Sequence, residues 1–181
     1  MGKLIVMSFI TLDGIVSDPD GSGGEPNGGW AFRNGGGAIT EDKFRLGDRM
    51  RTATMLLGRR TWEMFAARWP ARTSEFAGRM NAMRKLVVTK SGVDTSLWAN
   101  STSTGDDPVE VVTREPGEFV ITGSISVLRR LMAHDLVDEY RLLTIPSAVQ
   151  QGERLFPALT HLRYVSAEPV DTGVLTVLTR P

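Results

Sequence analysis

The sequence contains no cysteine, and this absence excludes several kinds of functional site. Disulfide frameworks, thiolate zinc sites and cysteine nucleophiles all need that residue. Histidine is also scarce, because only His134 and His161 occur, far apart and without the spacing of metal ligands. We therefore expect no metal site. The lack of cysteine also agrees with a cytoplasmic location, where thiols stay reduced and disulfides are rare.

A surplus of charge of either sign is missing too, since 21 Lys and Arg residues balance 21 Asp and Glu residues. Nucleic acids and anionic membranes attract proteins with a basic surplus, so we expect neither as a partner. The longest apolar runs, such as residues 4–7, are far shorter than the roughly 20 residues of a membrane helix. The N-terminus lacks the pattern of a secretory signal. The length of 181 residues predicts a single domain over residues 1–181.

Short apolar strands alternate with amphipathic helices along most of the chain. Two late strands, near residues 162–167 and 174–179, are expected to pair in an antiparallel hairpin joined through Pro169 and Gly173. The alternation predicts an α/β fold with a mostly parallel central sheet and helices on both faces. The earlier strands are predicted at residues 3–12, 55–58, 84–89, 119–122 and 140–145, and helices at about 59–69, at 76–83 and after Ser124.

Other segments have weaker patterns. Thr40 is a plausible N-cap for a helix from Glu41 to Thr52. Residues 101–107 are predicted to be a polar loop, and residues 109–113 a short strand. The glycine-rich stretch from Asp18 to Gly37 is expected to form a long loop, and loops of that length are usually functional or mobile. Its aromatic residues, Trp30 and Phe32, either pin the loop to the core or cover a ligand.

Three predicted strand ends carry residues suited to an anionic ligand. Gly58 separates a buried strand from a helix that opens with two arginines and a hydroxyl, and the free N–H groups of a helix N-terminus favour anions. Ligands of parallel sheets bind beyond the carboxyl ends of the strands. A phosphorylated cofactor is therefore favoured over the alternative of solvated surface residues. The three segments are Gly58-Arg59-Arg60-Thr61, Thr89-Lys90-Ser91 and Thr122-Gly123-Ser124.

Five motifs in order resemble the dihydrofolate reductase-like superfamily, and most closely its bacterial branch related to the reductase domain of the riboflavin-biosynthesis deaminase–reductase. The likeness covers nearly the whole chain. Each motif is modest alone, and their order makes the resemblance fairly specific for the fold. The motifs lie at Ser8–Gly14, Leu57–Glu63, Val120–Ser124, Leu136–Leu142 and Gly152–Pro157.

The resemblance implies a three-layer dihydrofolate reductase-like fold and a reductase that uses NADPH, with NADH as the alternative. It assigns the phosphates of the cofactor to Gly58, Arg59, Arg60 and Thr61. It places Thr89, Lys90 and Ser91 near the adenosine 2′-phosphate, and Thr122, Gly123 and Ser124 against the pyrophosphate. Phe9 and Val16 would line the nicotinamide, and the loop with Trp30 would form a lid. A homodimer formed through the late strands is also implied.

The resemblance makes the substrate a small heterocycle, pterin-like or pyrimidine-like, as in dihydrofolate reductase or 5-amino-6-(5-phosphoribosylamino)uracil reductase. Counted back from Gly58 without gaps, Asp42 falls at the position of the family's pterin-binding carboxylate, where it would help to protonate the reduced ring. Asp42 equally suits a helix start, where acidic residues are common. A non-catalytic module that binds a nucleotide or a pterin is the alternative function.

Overall fold

The computed structural model describes residues 2–33, 39, 41–170 and 173–181. Within this part of the chain the strands are β1 (Leu4–Thr11), β2 (Thr54–Gly58), β3 (Arg84–Val88), β4 (Ser101–Thr104), β5 (Phe119–Gly123), β6 (Glu139–Ile145), β7 (Arg163–Val170) and β8 (Gly173–Thr179). The helices are α1 (Arg49–Thr52), α2 (Arg59–Ala66), α3 (Glu75–Ala82), α4 (Pro108–Arg114) and α5 (Ile125–Met132), with a 3₁₀ turn at Thr95–Leu97.

The chain forms two compact units. The first contains residues 1–6 and 40–138, and the second contains residues 7–39 and 139–181. The single domain expected over residues 1–181 stays a prediction.

The first unit is built on parallel strands in the order β4-β3-β2-β5, followed by residues 4–6 of β1. All five residues of β2 are buried, which agrees with its continuous apolar sequence and its central position. Helix α2 packs on β2 and β3, and helix α5 packs on β2 and β5. The indole rings of Trp62 and Trp98 are completely enclosed in this unit.

The second unit contains the antiparallel strands β6, β8 and β7, in that order. Val170 pairs with Gly173 at the end of the hairpin, so the predicted antiparallel pairing is confirmed. Pro169, however, lies inside β7 opposite Val174 and not in the connection as we expected. The fold class is confirmed as α/β, with mostly parallel strands and an antiparallel C-terminal hairpin.

The helix predicted from Glu41 to Thr52 is wrong over most of its length, because only Arg49–Thr52 is helical. Arg45 and Gly47 adopt positive φ angles of 53° and 57°, which a continuous right-handed helix does not allow. The expected N-cap, Thr40, lies outside the described residues.

Two predictions around residues 101–113 are also wrong. Residues 101–104 form β4, which pairs in parallel with β3, although a polar loop was expected. Residues 108–114 form α4, although its valines favoured a strand. The Asp107 carboxylate accepts the Val109 N–H at 2.9 Å, and Pro108 occupies the first turn. These helix-start signals outweigh the strand preference of the valines.

Candidate functional site

The three segments predicted for an anionic ligand lie at neighbouring strand ends of the first unit. Strand β2 pairs in parallel with β3 on one side and with β5 on the other. Gly58 stands opposite Val88, and Leu57 stands opposite Gly123. The carboxyl ends of the three strands therefore share one edge of the sheet, where ligands of parallel sheets bind.

Two glycines bring these strand ends into direct contact. A Cβ atom on Gly58 would lie 2.2 Å from the Ser124 Oγ, and one on Gly123 would lie 2.7 Å from the Thr61 Oγ1. Gly123 has a φ of 151°, which favours glycine, and its peptide bond to Ser124 is cis. Glycine at both positions thus lets the hydroxyl groups of Thr61 and Ser124 approach the adjacent strand end.

Two helices begin at this edge, α2 at Arg59 and α5 at Ile125. In neither helix does the side chain of the capping residue accept a first-turn N–H. Gly58 has no side chain to offer, and the Ser124 hydroxyl lies 2.9 Å from the Ser126 hydroxyl instead. N–H groups at helix starts together with positive dipole ends favour an anion such as a phosphate.

Hydrogen bonds hold one of the three cationic side chains at this edge in place. The Arg59 Nη1 donates to the Ser91 Oγ at 2.6 Å, and the Arg59 Nε donates to the Glu63 Oε1 at 2.7 Å. Arg59 thereby joins the segment after β2 to the segment after β3. Arg60 and Lys90 are exposed, so both can reach a ligand from solvent.

Asp42 lies in the turn before α1 and is half-buried. Its Oδ2 accepts the Gly47 N–H at 2.6 Å. The carboxylate therefore stabilises a turn and not the start of a long helix. Its part in protonating a substrate stays a prediction.

The remaining predicted site residues belong to the second unit. Phe9 is half-buried and meets the Phe32 ring edge-on, with 5.5 Å between the ring centroids. Val16 is buried, and its N–H donates to the Glu153 carbonyl at 2.9 Å. Trp30 is only 3% exposed, and its Nε1 donates to the Ser17 carbonyl at 2.9 Å. Trp30 thus anchors its loop, as one of the two interpretations expected. Residues 34–37 of that loop lie outside the described residues.

A cavity in the second unit was not foreseen from the sequence. It has a volume of about 440 Å³ and lies between the segment that contains Trp30 and residues 147–150. The glycine-rich loop contains the first of these segments, whereas the late motif at Gly152–Pro157 begins only after the second. Sequence reasoning missed Asn27, Arg33 and Ser147 because no pattern showed that the two segments face each other.

Two further findings concern metals and membranes. In the described ranges no three acidic or histidine side chains form a group that could hold a metal ion. The helices that the structure describes are all too short or too polar to span a bilayer.

The geometry agrees with comparisons to known proteins. A family model, the RibD C-terminal domain, matches residues 2–176. The chain belongs to the RibD C-terminal domain family. No curated protein matches it. The resemblance to the reductase domain of the riboflavin-biosynthesis deaminase–reductase is therefore confirmed.

Solved structures show the same fold. The crystal structure of a "putative riboflavin biosynthesis protein" from Shewanella sp. PV-4 superposes with a TM-score of 0.71 at 18% identity, covering 99% of both chains. A pyrimidine reductase-like protein from Corynebacterium diphtheriae NCTC superposes with a TM-score of 0.61 at 12% identity, covering 98% of this chain and 91% of that chain. Membership of the RibD C-terminal domain family supports an oxidoreductase role for this protein.

Proposed function

We propose that this RibD C-terminal domain protein is an NADPH-dependent reductase that transfers a hydride to a C=N or C=O bond of a small heterocycle, pterin-like or pyrimidine-like. The observation that carries the proposal is the meeting of three strand ends and two helix starts at one edge of the first unit. That edge combines main-chain N–H groups, hydroxyls and cations, which suit a ligand with several phosphates.

The residues present fit a nicotinamide nucleotide. The absence of a Cβ atom at Gly58 and Gly123 lets the Ser124 and Thr61 hydroxyls lie against the adjacent strand ends, where both would bind phosphate oxygens. Arg59, Arg60 and Thr61 would hold the pyrophosphate region together with Thr122 and Ser124. Thr89, Lys90 and Ser91 would bind the 2′-phosphate, and this contact would favour NADPH over NADH.

The resemblance assigns the environment of the reacting ring to Phe9 and Val16. Phe9 and Val16 are apolar and would line the nicotinamide, which supplies the hydride when it is bound. Trp30 holds its loop through the bond to Ser17 and would help to exclude water from the substrate.

Asp42 is proposed as the proton donor, and Asp42→Asn tests this role. Asparagine keeps an oxygen that can accept the Gly47 N–H, so the turn should persist, while proton transfer is lost. We expect kcat to fall by about a hundredfold or more while NADPH affinity stays within about twofold. An unchanged kcat would show that Asp42 stabilises the turn and takes no part in proton transfer.

Turnover tests the reductase proposal as a whole. Stopped-flow absorbance should show NADPH loss with dihydrofolate, with an aminopyrimidine ribityl compound, or with a related member of a heterocycle panel. Tight cofactor binding without oxidation across the panel would favour the alternative, a non-catalytic nucleotide- or pterin-binding module. The bond that engages the Asp42 carboxylate in a turn is the observation that favours this alternative.

A homodimer is proposed as well. Strand β7 is the edge of the β6-β8-β7 group, and its Tyr164 and Val165 are 74% and 60% exposed. An edge strand with exposed apolar residues is a surface on which a second copy can pair.

A further inference from the structure

Glu63 and Ser91 hold the guanidinium of Arg59 from two sides. The Arg59 Nε donates to the Glu63 Oε1 at 2.7 Å, and the Arg59 Nη1 donates to the Ser91 Oγ at 2.6 Å. Glu63 belongs to α2, whereas Ser91 belongs to the segment after β3. Because the guanidinium is planar, bonds at two of its nitrogens fix both its position and its orientation. The Arg59 Nη2 has no acceptor among the described residues, so it is left for a ligand.

The stability of helix α2 does not explain this ion pair. Arg59 is the first residue of α2, where the positive end of the helix dipole disfavours a cation. Glu63 follows four positions later, and an acid on the C-terminal side of its basic partner is the weaker order in a helix. Both side chains are also about half exposed, and ion pairs in solvent contribute little to stability. The pair therefore points to a role in ligand binding.

Ser91 connects the guanidinium to one particular phosphate. It belongs to the segment proposed for the 2′-phosphate, and the neighbouring Lys90 adds an exposed cation. A guanidinium held against Ser91 can donate to that phosphate through charge-assisted hydrogen bonds. We propose that Glu63 is a positioning residue, and that it holds Arg59 beside Ser91 so that the 2′-phosphate distinguishes NADPH from NADH. This role rests on the proposed function, because it requires a nicotinamide nucleotide at this edge of the sheet.

Glu63 has two effects of opposite sign on phosphate binding. Its contact with Arg59 removes conformational freedom from the long side chain before the ligand arrives, which strengthens binding. Its negative charge repels the phosphate, which weakens binding. Solvent screens that charge because the Glu63 side chain is 47% exposed, whereas the hydrogen bond to Arg59 is direct. We therefore expect the positioning effect to be the larger.

Calorimetric titration with a pair of adenosine nucleotides tests the proposal. Adenosine 2′,5′-bisphosphate and adenosine 5′-monophosphate are matched probes, because they differ only in the 2′-phosphate. Wild-type protein should bind the bisphosphate at least about tenfold more tightly, as charge-assisted contacts provide. Glu63→Ala should reduce this preference by about fivefold and should leave the affinity for the monophosphate unchanged. Glu63→Gln should restore most of the preference, since its amide oxygen can accept the Arg59 Nε–H.

Further variants locate the effect at Arg59. Glu75→Ala is the matched control, because Glu75 forms an ion pair of the same spacing with Arg79 at 2.7 Å in α3. This variant should bind both nucleotides like the wild type. In Arg59→Ala protein, adding Glu63→Ala should cause no further loss, because Glu63 acts only through Arg59. Circular dichroism verifies that each variant is folded.

Other outcomes would overturn the proposal. Tighter bisphosphate binding by both Glu63 variants would make Glu63 a competing anion, and equal losses for the two nucleotides would make it a structural support of helix α2. A further loss in Arg59→Ala protein would mean that Glu63 acts without Arg59. Equal affinity of the wild type for the two nucleotides would leave no preference for Glu63 to control.

NADPH oxidation, measured in parallel, separates this role from the proposed function. Loss of the bisphosphate preference in Glu63→Ala, without NADPH oxidation across the heterocycle panel, would remove the reductase proposal and keep the role of Glu63 in nucleotide binding. NADPH oxidation by the wild type, with the full bisphosphate preference kept in Glu63→Ala, would keep the reductase proposal and remove the role of Glu63.

Discussion

A buried lysine, Lys85, is the most unusual single residue in the first unit. Its side chain is fully enclosed, and its Nζ donates to the carbonyls of Asn81 and Ala99 at 2.6 and 3.0 Å. The ammonium group also stands 4.3 Å from the centroid of the Trp98 ring. Burial nevertheless lowers the pKa of Lys85 to about 8. Nothing in the sequence distinguished this lysine from an ordinary strand residue.

The lowered pKa predicts a pH dependence of stability. Between the folded value of about 8 and the ordinary value of 10.5, the unfolded chain binds more protons at Lys85 than the folded chain. The free energy of unfolding should therefore rise as pH increases across that window. Urea unfolding at the two ends of the window measures the rise. Lys85→Met should abolish it, and the exposed Lys90→Met should keep it; equal slopes in both variants would refute the explanation.

Two glycines offer a matched test of the contact between strand ends. Gly58→Ala should destabilise the protein by about 1–3 kcal/mol, because its Cβ would clash with Ser124. Gly78→Ala in helix α3 should stabilise it by about 0.5–1 kcal/mol, since its Cβ meets no atom within 4 Å and alanine favours helix. Chemical denaturation measures both. Equal changes in the two variants would mean that Gly58 does not need to be small.

At the scale of elements, Asp13 stabilises the loop that contains Val149, Gln150 and Arg154 through hydrogen bonds. The Asp13 carboxylate accepts the Thr11 hydroxyl as well as the N–H groups of Val149 and Gln150, and the Asp13 carbonyl accepts the Arg154 Nη1 at 2.7 Å. The hydrogen bond from Thr11 is the main cause that lowers the pKa of Asp13. This loop carries one wall of the cavity in the second unit.

The lowered pKa of Asp13 predicts an acid-sensitive loop. Its stabilising contribution is present above the unfolded value near 3.8 and is lost as pH falls through the lower folded value. Asp13→Asn should reduce Tm at neutral pH and should flatten the decline of Tm between about pH 4 and pH 2. Thermal scans over this range provide the measurement. A decline as steep as that of the wild type would assign the acid sensitivity to other carboxylates.

Elements were predictable where local and tertiary preferences agree. Strands β2, β3 and β5 each contain a run of three apolar residues bounded by glycine or polar residues, so burial and strand propensity favour the same structure. Prediction failed at α4, where capping by Asp107 overrides the valines. It failed at β4 because Ser101–Thr104 has no apolar face, and only its pairing with β3 makes it a strand.

At the scale of the whole molecule, the edge strand β7 predicts self-association. Wild-type protein at micromolar concentration should have the mass of two chains by light scattering. Val165→Lys should shift the mass towards one chain, because a charge on a sheet edge opposes pairing. Leu159→Lys is the control, since Leu159 is exposed but lies outside β7. A monomeric wild type would contradict the proposed dimer.

The grouping of strand ends in the candidate site was predictable from the parallel sheet that the sequence indicates. Parallel strands place their carboxyl ends together, so Gly58, Lys90 and Gly123 could be grouped before the structure was known. Contacts that depend on the path of loops could not be predicted in this way. The bond from Arg59 to Ser91 joins residues 32 positions apart, and the pocket joins Asn27 to Val149 across 122 positions. No local pattern encodes such contacts.

Binding of NADPH is the first property to measure, because the proposed reaction depends on it. Trp62 lies in α2, which begins at the proposed phosphate site, so tryptophan fluorescence should decrease with energy transfer to the nicotinamide as NADPH is added. Arg59→Ala and Arg60→Ala should each weaken binding by about tenfold or more, as loss of a charge-assisted hydrogen bond implies. Arg68→Ala should not. Failure of wild-type protein to bind either NADPH or NADH would contradict the reductase account.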